Sequence, residues 1–476
     1  MDKEYTSYKK VDQRWVKRIP EHWQMKRLKG VFAMRKERNN PIQTDYILSL
    51  TAKQGVIPYA EKEGTGGNKP KDDLTQYNIC RENDLLVNCM NVVSGAAGVS
   101  KYYGAISPVY YAFYPREDEN IWYYHYIFRL ITFQRSLIGL GKGILMHESD
   151  TGVLTSVRMR ISMNYLGNVL LPLPPRNEQD QIVKFLDWKV SEVNKLISIK
   201  KKQISLYREL RKSVIDKGIL HGFKNVEQKE SGVYWLGEVP ASWEVTAMKR
   251  ICKANASISD IVKSMDDTDV VTFLPMENVS ETGEVDCSVK KHIAEVRTGF
   301  SSFARGDVVV AKITPCFENG KGACLDSLDT EIGYGTTEFI NLRPSDKVLS
   351  RYLYMVTMTQ PFRKLGKEVM TGSAGQKRVP VNYIKNFTFA LPSVDEQEEI
   401  LNEIDARLSE IDKAIDVERE DIKLLQELKA RIISDAVTGN INVRNIDVPE
   451  YEYVEDQSEN DLDDESSDQN IEEQEE

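Results

Sequence analysis

The sequence predicts an α+β fold: two globular domains of mixed strands and helices, separated by two long helices. Three observations predict it. Short phrases recur about 220 residues apart, strand-type runs broken by turn residues fill each copy, and each copy ends in a helical apolar pattern of about 40 residues. This duplication predicts a pseudo-two-fold relation between the domains. It also predicts that the long helices pair as an antiparallel coiled coil.

The duplicated phrases mark both ends of each copy. Pro-Glu-His-Trp at residues 20–23 returns as Pro-Ala-Ser-Trp at 240–243, and Leu-Pro-Pro-Arg-Asn-Glu-Gln at 173–179 returns as Leu-Pro-Ser-Val-Asp-Glu-Gln at 391–397. This period far exceeds the roughly 20 to 50 residues of solenoid repeats, so it indicates duplication of a whole domain with its helix. A duplicated chain suggests a duplicated target.

The first globular domain is expected at residues 1–175 and the second at 223–394. Runs rich in Val, Ile, Phe and Tyr, such as 270–274, are separated by Gly, Asn and Pro and predict strands. Asn-Asp-Leu-Leu-Val at 83–87 matches Gly-Asp-Val-Val-Val at 306–310. Between such landmarks the copies diverge, as expected of two domains on one scaffold that read different ligands.

The spacer helices are expected at residues 176–222 and 395–445. Extended Leu-Pro phrases precede them, and Asn177 and Asp395 are candidate N-caps with an acidic residue three positions later. Nine apolar positions, spaced mainly by three and four, recur at an offset of 218: Ile182, Leu186, Val190, Val193, Ile197, Ile204, Tyr207, Leu210 and Val214, then Ile400, Ile404, Leu408, Ile411, Ile415, Ile422, Leu425, Leu428 and Ile432. One face of each helix is therefore apolar.

The two helices are expected to pair because their charges are complementary. Residues 177–217 carry 10 basic and 6 acidic side chains, whereas residues 395–435 carry 6 basic and 14 acidic ones. An antiparallel arrangement places the middle of one helix beside the middle of the other. The contacts it predicts are those of Lys200, Lys201 and Lys202 with Glu418 and Glu420. The alternative is two separate helices with solvated charge runs.

Composition narrows the class of protein. A disordered acidic tail is expected at residues 446–476, since residues 449–476 hold 14 acidic and no basic side chains. The first 222 residues hold 35 basic and 23 acidic side chains, which is compatible with a polyanionic partner and equally with a solvated surface. No apolar run reaches the roughly 18 residues that cross a bilayer, and the polar N-terminal residues lack a signal-peptide core, so a cytoplasmic location without membrane contact is expected. The six cysteines form no Cys-x-x-Cys pair, so neither a metal site nor a disulfide is expected.

The sequence lacks the motifs that mark common nucleotide-binding and methyltransferase sites. There is no Gly-x-x-x-x-Gly-Lys-Ser/Thr phosphate loop, no Gly-x-Gly-x-x-Gly that opens a helix and no Asn-Pro-Pro-Tyr of an amino-methyltransferase. A non-catalytic chain is therefore expected. Two other classes stay open: a scaffold that joins two partners through the coiled coil, and an enzyme with its own nuclease or methyltransferase site.

The ordered set of phrases resembles the specificity subunit of type I restriction-modification systems. The resemblance rests on Ile-Pro-Glu-His-Trp at 19–23, Trp-Leu-Gly-Glu-Val-Pro at 235–240, the two Leu-Pro exits into long helices and Gly-Ser-Ala-Gly-Gln-Lys at 372–377. It covers roughly residues 8–443. The first copy departs from the pattern, because residues 148–157 replace the Gly-Ser-Ala-Gly-Gln-Lys phrase.

This resemblance implies a division of labour among subunits. Each target-recognition domain would read one half of a bipartite sequence in double-stranded DNA. The helices would set the spacing and dock two methyltransferase subunits, with restriction and translocase subunits joining through the complex. The resemblance implies no catalysis and no cofactor on this chain, so S-adenosylmethionine, ATP and Mg²⁺ are expected on the partner subunits.

Candidate DNA contacts are polar side chains in loops of the two domains, because Arg, Lys, Asn and Gln bind base edges and phosphates. In the second copy they are Lys312, Thr314, Ser373, Gln376, Lys377 and Arg378. In the first copy they are Asn88, Asn91, Lys142, Arg158 and Arg160. The alternative for each of them is a turn former or a solvated side chain.

Overall fold

The computed structural model describes residues 4–52, 54–62, 70–141, 160–373 and 375–455, together with the backbone of two short strands at 146–148 and 154–156. The chain forms two compact units. Unit 1 is Met1–Lys201 with Arg419–Glu476, and unit 2 is Lys202–Glu418. Because both long helices cross this division, each unit contains one globular domain and a part of each long helix.

Unit 1 is built from short strands and a few helices. The strands are β1 (Tyr8–Lys10), β2 (Arg18–Pro20), β3 (Gln24–Arg27), β4 (Phe32–Met34), β5 (Leu48–Thr51), β6 (Gly55–Pro58), β7 (Asn78–Cys80), β8 (Leu85–Asn88), β9 (Ala97–Val99), β10 (Gly104–Ile106), β11 (Tyr110–Pro115), β12 (Met146–Glu148), β13 (Leu154–Ser156) and β14 (Leu170–Leu173). The helices are α1 (Leu28–Val31), α2 (Ile121–Arg129), α3 (Ile131–Ser136), α4 (Met163–Leu166) and the long α5 (Arg176–His221), which continues into unit 2.

The principal sheet of unit 1 is antiparallel, with strand order β4-β11-β8-β9. Both faces of this sheet are buried, as the side chains of strand β8 show. Leu85 and Val87 point into the core that contains α2 and α3, while Leu86 points into a second core under the β5-β6 hairpin. The hairpin and the β10-β7 pair are joined by a parallel bridge between Ile47 and Ala105. The second layer therefore has the order β6-β5-β10-β7.

Unit 2 contains a corresponding set of elements. Its strands are β15 (Gln228–Glu230), β16 (Glu238–Pro240), β17 (Glu244–Ala247), β18 (Cys252–Ala254), β19 (Val270–Leu274), β20 (Lys290–His292), β21 (Ser301–Ala304), β22 (Val308–Ala311), β23 (Gly322–Cys324), β24 (Ile332–Gly335), β25 (Phe339–Pro344) and β26 (Thr388–Leu391). Its helices are α6 (Ser259–Val262), α7 (Ile293–Val296), α8 (Cys316–Asn319), α9 (Ser350–Met358), α10 (Gln360–Glu368), α11 (Val381–Asn386) and α12 (Val394–Val437), which continues into unit 1.

The sheets of unit 2 repeat the strand order of unit 1. The antiparallel sheet β18-β25-β22-β23 corresponds to β4-β11-β8-β9, and β20-β19-β24-β21, with its parallel β19-β24 pair, corresponds to the second layer of unit 1. The mixed α+β architecture is therefore observed in both units. The pseudo-two-fold relation between the units stays a prediction.

The long helices pack antiparallel in each unit. In unit 1, Ala436 and Val437 at the end of α12 share a core with Ile182 and Leu186 near the start of α5. In unit 2, Gly218 near the end of α5 lies against Ile404, close to the start of α12: a Cβ added to this glycine would lie 2.9 Å from the Ile404 side chain. The predicted pairing of the two helices is thus observed within each unit.

Near the middle of the paired helices, Lys200 Nζ lies 2.7 Å from the carboxylate of Asp421, the residue after Glu420. Leu210 and Leu428 were assigned to the buried seam, yet they are 48% and 46% exposed. The seam continues beyond these positions, at Ile215 and Gly218 of α5 and at Ala436 and Val437 of α12, so the two leucines lie on a neighbouring face of their helices. Apolar spacing alone does not distinguish that face from the seam.

The first duplicated phrase joins the globular part of unit 1 to both long helices. The buried Glu178 of α5 accepts hydrogen bonds from Trp23 Nε1 at 2.9 Å and the Tyr5 hydroxyl at 3.1 Å, and it pairs with His22 Nε2 at 2.6 Å. Gly439, just after α12, has φ 72°, and a Cβ there would lie 3.0 Å from the Trp23 ring. Trp23 is therefore held between the start of one long helix and the end of the other.

The second duplicated phrase makes the same contacts with both long helices in unit 2. Trp243 Nε1 donates to Glu396 of α12 at 3.0 Å, and Gly222, which follows α5 with φ 70°, faces the same indole. The neighbouring glutamines also act alike. Gln179 accepts from the Asn120 backbone N–H and donates to the Pro174 carbonyl, while Gln397 accepts from Leu349 and donates to Pro392. The Glu-Gln pair thus fixes the start of each long helix.

The C-terminal part of the chain is more ordered than the sequence suggests. Helix α12 ends at Val437, not at residue 445, and residues 438–446 turn back into the core of unit 1. Residues 446–455 were assigned to a disordered tail, but part of this stretch lies along α5: Ser191 Oγ donates to the Glu452 carbonyl and accepts from Val454 N–H, both at 2.8 Å. Side chains on α5 satisfy this backbone, which overrides the local acidic composition. Among the described helices, none is apolar and long enough to cross a membrane.

Candidate nucleic-acid interface

A buried ion pair positions the strand that leads to the candidate residues in each unit. Asp84 precedes β8 and Asp307 precedes β22, and each is 1% exposed. Arg35 donates to Asp84 through Nε and one terminal nitrogen at 2.7 and 2.8 Å, and Arg343 donates to Asp307 in the same way at 2.8 and 2.9 Å. The residue before each aspartate has a positive φ. Such bidentate pairs have fixed geometry, so they orient β8 and β22 firmly.

In unit 2 the end of β22 meets two other segments. Lys312 N–H donates to the Glu338 carbonyl at 2.8 Å, and the Lys312 carbonyl accepts from Val379 N–H at 2.8 Å. Two residues later, Thr314 donates to the Lys377 carbonyl through its N–H at 2.9 Å and its hydroxyl at 3.1 Å. These hydrogen bonds hold the segments around Lys312, Glu338 and Val379 together, and this arrangement is here called the unit 2 junction.

A glycine-containing loop at residues 371–378 projects from this junction. It is closed by reciprocal backbone hydrogen bonds between Thr371 and Arg378 at 3.0 and 2.8 Å. Gly372 and Gly375 have φ 134° and 82°, and a Cβ on Gly372 would lie 2.7 Å from the Gln376 carbonyl oxygen, so the turn requires glycine there. Its exposed candidate side chains are Ser373, Gln376 and Lys377.

Arg378 is committed to a partner within the protein. Its Nε and one terminal nitrogen reach both oxygens of Glu338 at 2.6 to 3.1 Å, and the other terminal nitrogen donates to the Gln376 carbonyl at 3.3 Å. Hydrogen bonds from Arg378 hold the pKa of Glu338 below its usual value, and Lys312 adds a smaller effect of the same sign. Arg378 therefore anchors the loop, and its guanidinium donors are used within the protein.

Sequence reasoning missed the arginine that supports this surface from below. Arg363 of α10 is 8% exposed and donates to the carbonyls of Phe317 at 2.8 Å and Gly320 at 3.2 Å. Burial lowers its pKa to about 10. It binds the orphan carbonyls at the end of α8, directly beyond the junction. No sequence signal separates this arginine from a solvated one on a short polar helix.

Unit 1 has a junction with the same backbone pattern. Cys89 N–H donates to the Val109 carbonyl at 3.1 Å, and the Cys89 carbonyl accepts from Ile161 N–H at 2.9 Å. Arg160 is exposed at its edge. Burial raises the pKa of the Cys89 thiol, and the neighbouring Arg160 opposes that shift.

The other first-copy candidates have different positions. Asn88 is 7% exposed, and its Oδ1 accepts from Met90 N–H at 3.0 Å, which makes it a buried turn former. Asn91 is exposed beside it. Lys142 and Arg158 lie outside the described residues. The structure thus brings Asn91 and Arg160 to one junction in unit 1, and all six second-copy candidates to the other.

The two junctions differ in the side chains that they carry. Matching hydrogen bonds and strand registers identify three pairs of equivalent positions: Cys89 with Lys312, Val109 with Glu338, and Arg160 with Arg378. Unit 2 therefore has three charged side chains where unit 1 has a thiol, an aliphatic side chain and one arginine. A shared backbone that displays different chemistry can select different ligands in the two units.

Comparisons with known proteins agree with this architecture. Residues 20–206 match the family model described as a type I restriction modification DNA specificity domain. The specificity subunit of the type I restriction enzyme EcoAI from Escherichia coli is 40% identical over 167 residues, which are 34% of this chain and 28% of that protein. The EcoEI specificity subunit from the same species is 36% identical over 167 residues, or 34% of this chain and 27% of that protein. The match thus spans less than a third of either relative.

A more distant relative and a solved structure match over longer stretches. The MjaVIII specificity subunit of Methanocaldococcus jannaschii is 25% identical over 300 residues, covering 59% of this chain and 64% of that protein. A chain from a structural study of assembly and conformational transition in the type I restriction-modification system superposes with a TM-score of 0.59 at 12% identity, covering 89% of this chain and 99% of that one. This superposition supports the fold. The family model and the two Escherichia coli matches therefore show that residues 20–206 form a type I restriction modification DNA specificity domain.

Proposed function

We propose that this chain is the DNA sequence-specificity subunit of a type I restriction-modification complex and that each unit reads one half of a bipartite target. The observation that carries this proposal is the pair of junctions, which share a hydrogen-bonded backbone and differ at every equivalent side chain except the arginine. A target with two unlike halves requires two readers of this kind. Methylation and cleavage are assigned to partner subunits.

In unit 2 the reading side chains are assigned to the exposed loop. Gln376 and Lys377 are flanked by the tied Arg378 on one side and Gly375 on the other, so they project from a fixed turn. Glutamine can pair with the edge of adenine and lysine with guanine or phosphate, which makes both suited to major-groove contacts. In unit 1 the corresponding roles are assigned to Asn91 and Arg160.

The long helices carry a feature that supports two identical partners. In unit 2 the long helices expose Leu206 (64%), Leu210 (48%) and Val417 (60%). Unit 1 exposes their equivalents at an offset of 218 residues: Leu424 (52%), Leu428 (46%) and Ile199 (45%). Exposed apolar side chains that recur in this way favour interaction surfaces over chance exposure. Each trio is proposed to dock one methyltransferase subunit.

Mapping of methylated bases in DNA from cells that carry the complete system tests target reading. The expected result is a sequence with two specific segments separated by a spacer of fixed length. A Ser373, Gln376 and Lys377 triple replacement by alanine should relax one segment and leave the other intact, while Lys253→Ala, an exposed cation away from the loop, should leave the pattern unchanged. Methylation at an undivided site, or a triple variant with the original pattern, would contradict the proposal.

Subunit stoichiometry tests the docking surfaces. Leu206→Glu and Leu424→Glu should each lower the number of bound methyltransferase subunits from two to one in native mass spectrometry, and the double variant should bind none. Val369→Glu is the matched control, because Val369 is also exposed, at 43%, but lies away from the long helices. Two bound subunits in the double variant would remove this assignment.

A further inference from the structure

Unit 1 contains a polar cleft that the junction residues do not explain. It has a volume of about 610 Å³ and is lined by Arg38, Asn40, Thr75, Gln76 and Pro108. The lining is a guanidinium, two amides, a hydroxyl and a proline, so the cleft is suited to a polar, planar group and not to an apolar ligand.

The cleft is rigid because a fully buried asparagine holds its wall. Asn39, with 0% exposure, accepts from the backbone N–H groups of Gln43 at 2.8 Å and Thr44 at 3.2 Å, and it donates to the carbonyls of Thr44 at 2.9 Å and Leu74 at 3.3 Å. The backbone of Asn39 also donates to Tyr77 at 3.0 Å. A preformed wall lowers the entropy lost when a ligand binds.

Two of the lining side chains are already occupied by neighbours. Gln76 donates through Nε2 to Asp73 at 3.0 Å and accepts from Lys71 Nζ at 3.3 Å. The Thr75 hydroxyl also donates to Asp73. These interactions satisfy the Asp73 carboxylate and leave Gln76 and Thr75 as parts of the wall.

Arg38 and Asn40 have polar atoms to spare. Arg38 donates through one terminal nitrogen to the Gln76 carbonyl at 3.1 Å, which fixes the guanidinium in the cleft. Within the part of the chain that the structure describes, its Nε and second terminal nitrogen bind no other group, and the Asn40 amide forms no hydrogen bond. Both residues are exposed to solvent. The cleft therefore offers two N–H donors of the Arg38 guanidinium and, two residues away, the donor and the acceptor of the Asn40 amide.

The cleft adjoins the unit 1 junction. Pro108 in its wall is followed by Val109, whose carbonyl accepts from Cys89 N–H at the junction. Unit 2 has different chemistry at the corresponding place: Ile258, four residues after β18 as Arg38 is four residues after β4, is 5% exposed and packs into a core with Val271. The cleft thus lies in a part of the fold where the two units diverge.

We propose that this cleft binds the major-groove edge of purines in one half of the target, with Arg38 and Asn40 as specificity-determining residues. The inference rests on the proposed function. A forked arginine pairs with O6 and N7 of guanine, and an asparagine amide pairs with N6 and N7 of adenine. Arg38 selects guanine and Asn40 selects adenine, in a segment next to the base pairs reached by Asn91 and Arg160.

Binding of the assembled specificity and methyltransferase complex to duplexes provides the test. The duplexes carry the mapped target and a panel with each base pair of either half replaced in turn. Arg38→Ala and Asn40→Ala should each weaken binding to the target by roughly ten-fold or more and should lose discrimination at one base pair of the same half. Lys17→Ala, an exposed cation elsewhere in unit 1, should preserve discrimination at every position.

The outcomes separate this inference from the proposed function. Equal weakening on every duplex would show phosphate contacts alone, and unchanged binding would show an unused cleft; either result overturns the inference while wild-type discrimination still stands. Loss of discrimination in the half read by unit 2 would also overturn it. A wild-type complex that binds all duplexes alike contradicts the proposed function itself. Asn40→Ala removes no hydrogen bond of the described structure, so it keeps the test valid if Arg38→Ala fails to fold.

Discussion

Single carboxylates decide how each globular domain meets its long helices. Glu178 accepts or shares hydrogen bonds with Trp23, Tyr5 and His22, whereas its equivalent Glu396 accepts from Trp243. The residue before each tryptophan explains part of this difference, since His22 in unit 1 is replaced by Ser242 in unit 2. The two carboxylates thus have equivalent positions, but Glu178 binds more groups than Glu396.

Replacement of Glu178 by alanine is therefore expected to destabilise the protein more than Glu396→Ala. Glu178→Ala leaves a buried indole N–H and a buried phenol without their acceptor and should cost about 2–4 kcal/mol, while Glu396→Ala should cost about 1 kcal/mol. Denaturant unfolding followed by tryptophan fluorescence measures both. Equal losses in the two variants would show that the extra partners of Glu178 contribute nothing.

The ion pair between Glu338 and Arg378 is expected to control the order of the loop at residues 371–378. Glu338→Gln removes the charge that Arg378 holds bidentately, so the backbone N–H groups of Thr371 and Arg378 should exchange with solvent several-fold faster. Hydrogen exchange corrected for intrinsic rates measures this effect. Glu277→Gln, a change outside the junction, serves as the control.

The same pair predicts a direction for pH dependence. The folded-state pKa of Glu338 lies below its usual value, so the tie is fully present above the ordinary carboxyl range and is lost as pH falls through the lowered value. Protection of the loop should therefore be constant from about pH 7 to pH 5 and should fall only in stronger acid. Loss of protection near neutral pH would mean that another group holds the loop.

The sequence predicted the turn at residues 371–378 of unit 2, but it did not predict which candidate side chains bind within the protein. The glycines at 372 and 375 marked a turn, and their positive φ values require one. Arg378 was grouped with the exposed residues, because nothing in the sequence reveals that Glu338, 40 residues earlier, meets it across the sheet. Asn88 was misjudged for a related reason: an asparagine that ends a buried strand has the same local sequence as one that faces a ligand.

At the scale of elements, the long helices pair through a seam with charged side chains along its borders. Lys200 and Asp421 are 27% and 41% exposed, so their attraction is partly screened by solvent. Pairs of this exposure contribute about 0.5–1 kcal/mol. The pair favours one register of α5 against α12, because a shift by one helical turn would separate the charges.

A charge-reversal cycle tests that register. Lys200→Glu should lower the unfolding free energy by about 1 kcal/mol through repulsion with Asp421, and addition of Asp421→Lys should recover most of the loss. The coupling is obtained from denaturant unfolding of the wild type, both single variants and the double variant. Additive effects of the two substitutions would contradict a direct contact between these side chains.

The elements were predictable where the pattern is long, and unpredictable where tertiary contacts override it. Helices that begin near Arg176 and Val394 follow from nine repeated apolar positions and from the Leu-Pro phrases before them. The predicted boundary at residue 445 lies beyond the end of α12 at Val437, because the chain turns back at Gly439, where φ is 72°. The order of residues 446–455 was not predicted, because the side chains that bind their backbone, Ser191 and Asn194, lie more than 250 residues earlier.

At the scale of the whole molecule, one strand order serves two units with unlike surfaces. The buried aspartate, the Glu-Gln pair and the tryptophan between helix ends recur, whereas the junction side chains and the cleft do not. Packing constraints preserve the first group, because each member satisfies a buried polar group or a close contact. Except for the buried Cys89, the second group is partly or fully exposed. These side chains can therefore change without loss of the fold, and recognition can diverge on a constant framework.

The proposed reading by both units predicts that helix length sets the separation of the two half-sites. Insertion of seven residues between Lys201 and Lys202, with a matching seven between Glu418 and Arg419, keeps the apolar seam in phase and lengthens each helix by about 10 Å. At about 3.4 Å per base pair, the spacer in the mapped methylation sequence should grow by roughly three base pairs, while both specific segments stay the same. An insertion in one helix alone misaligns the paired seam and should abolish methylation. An unchanged spacer in the doubly lengthened protein would mean that something other than the helices measures the distance.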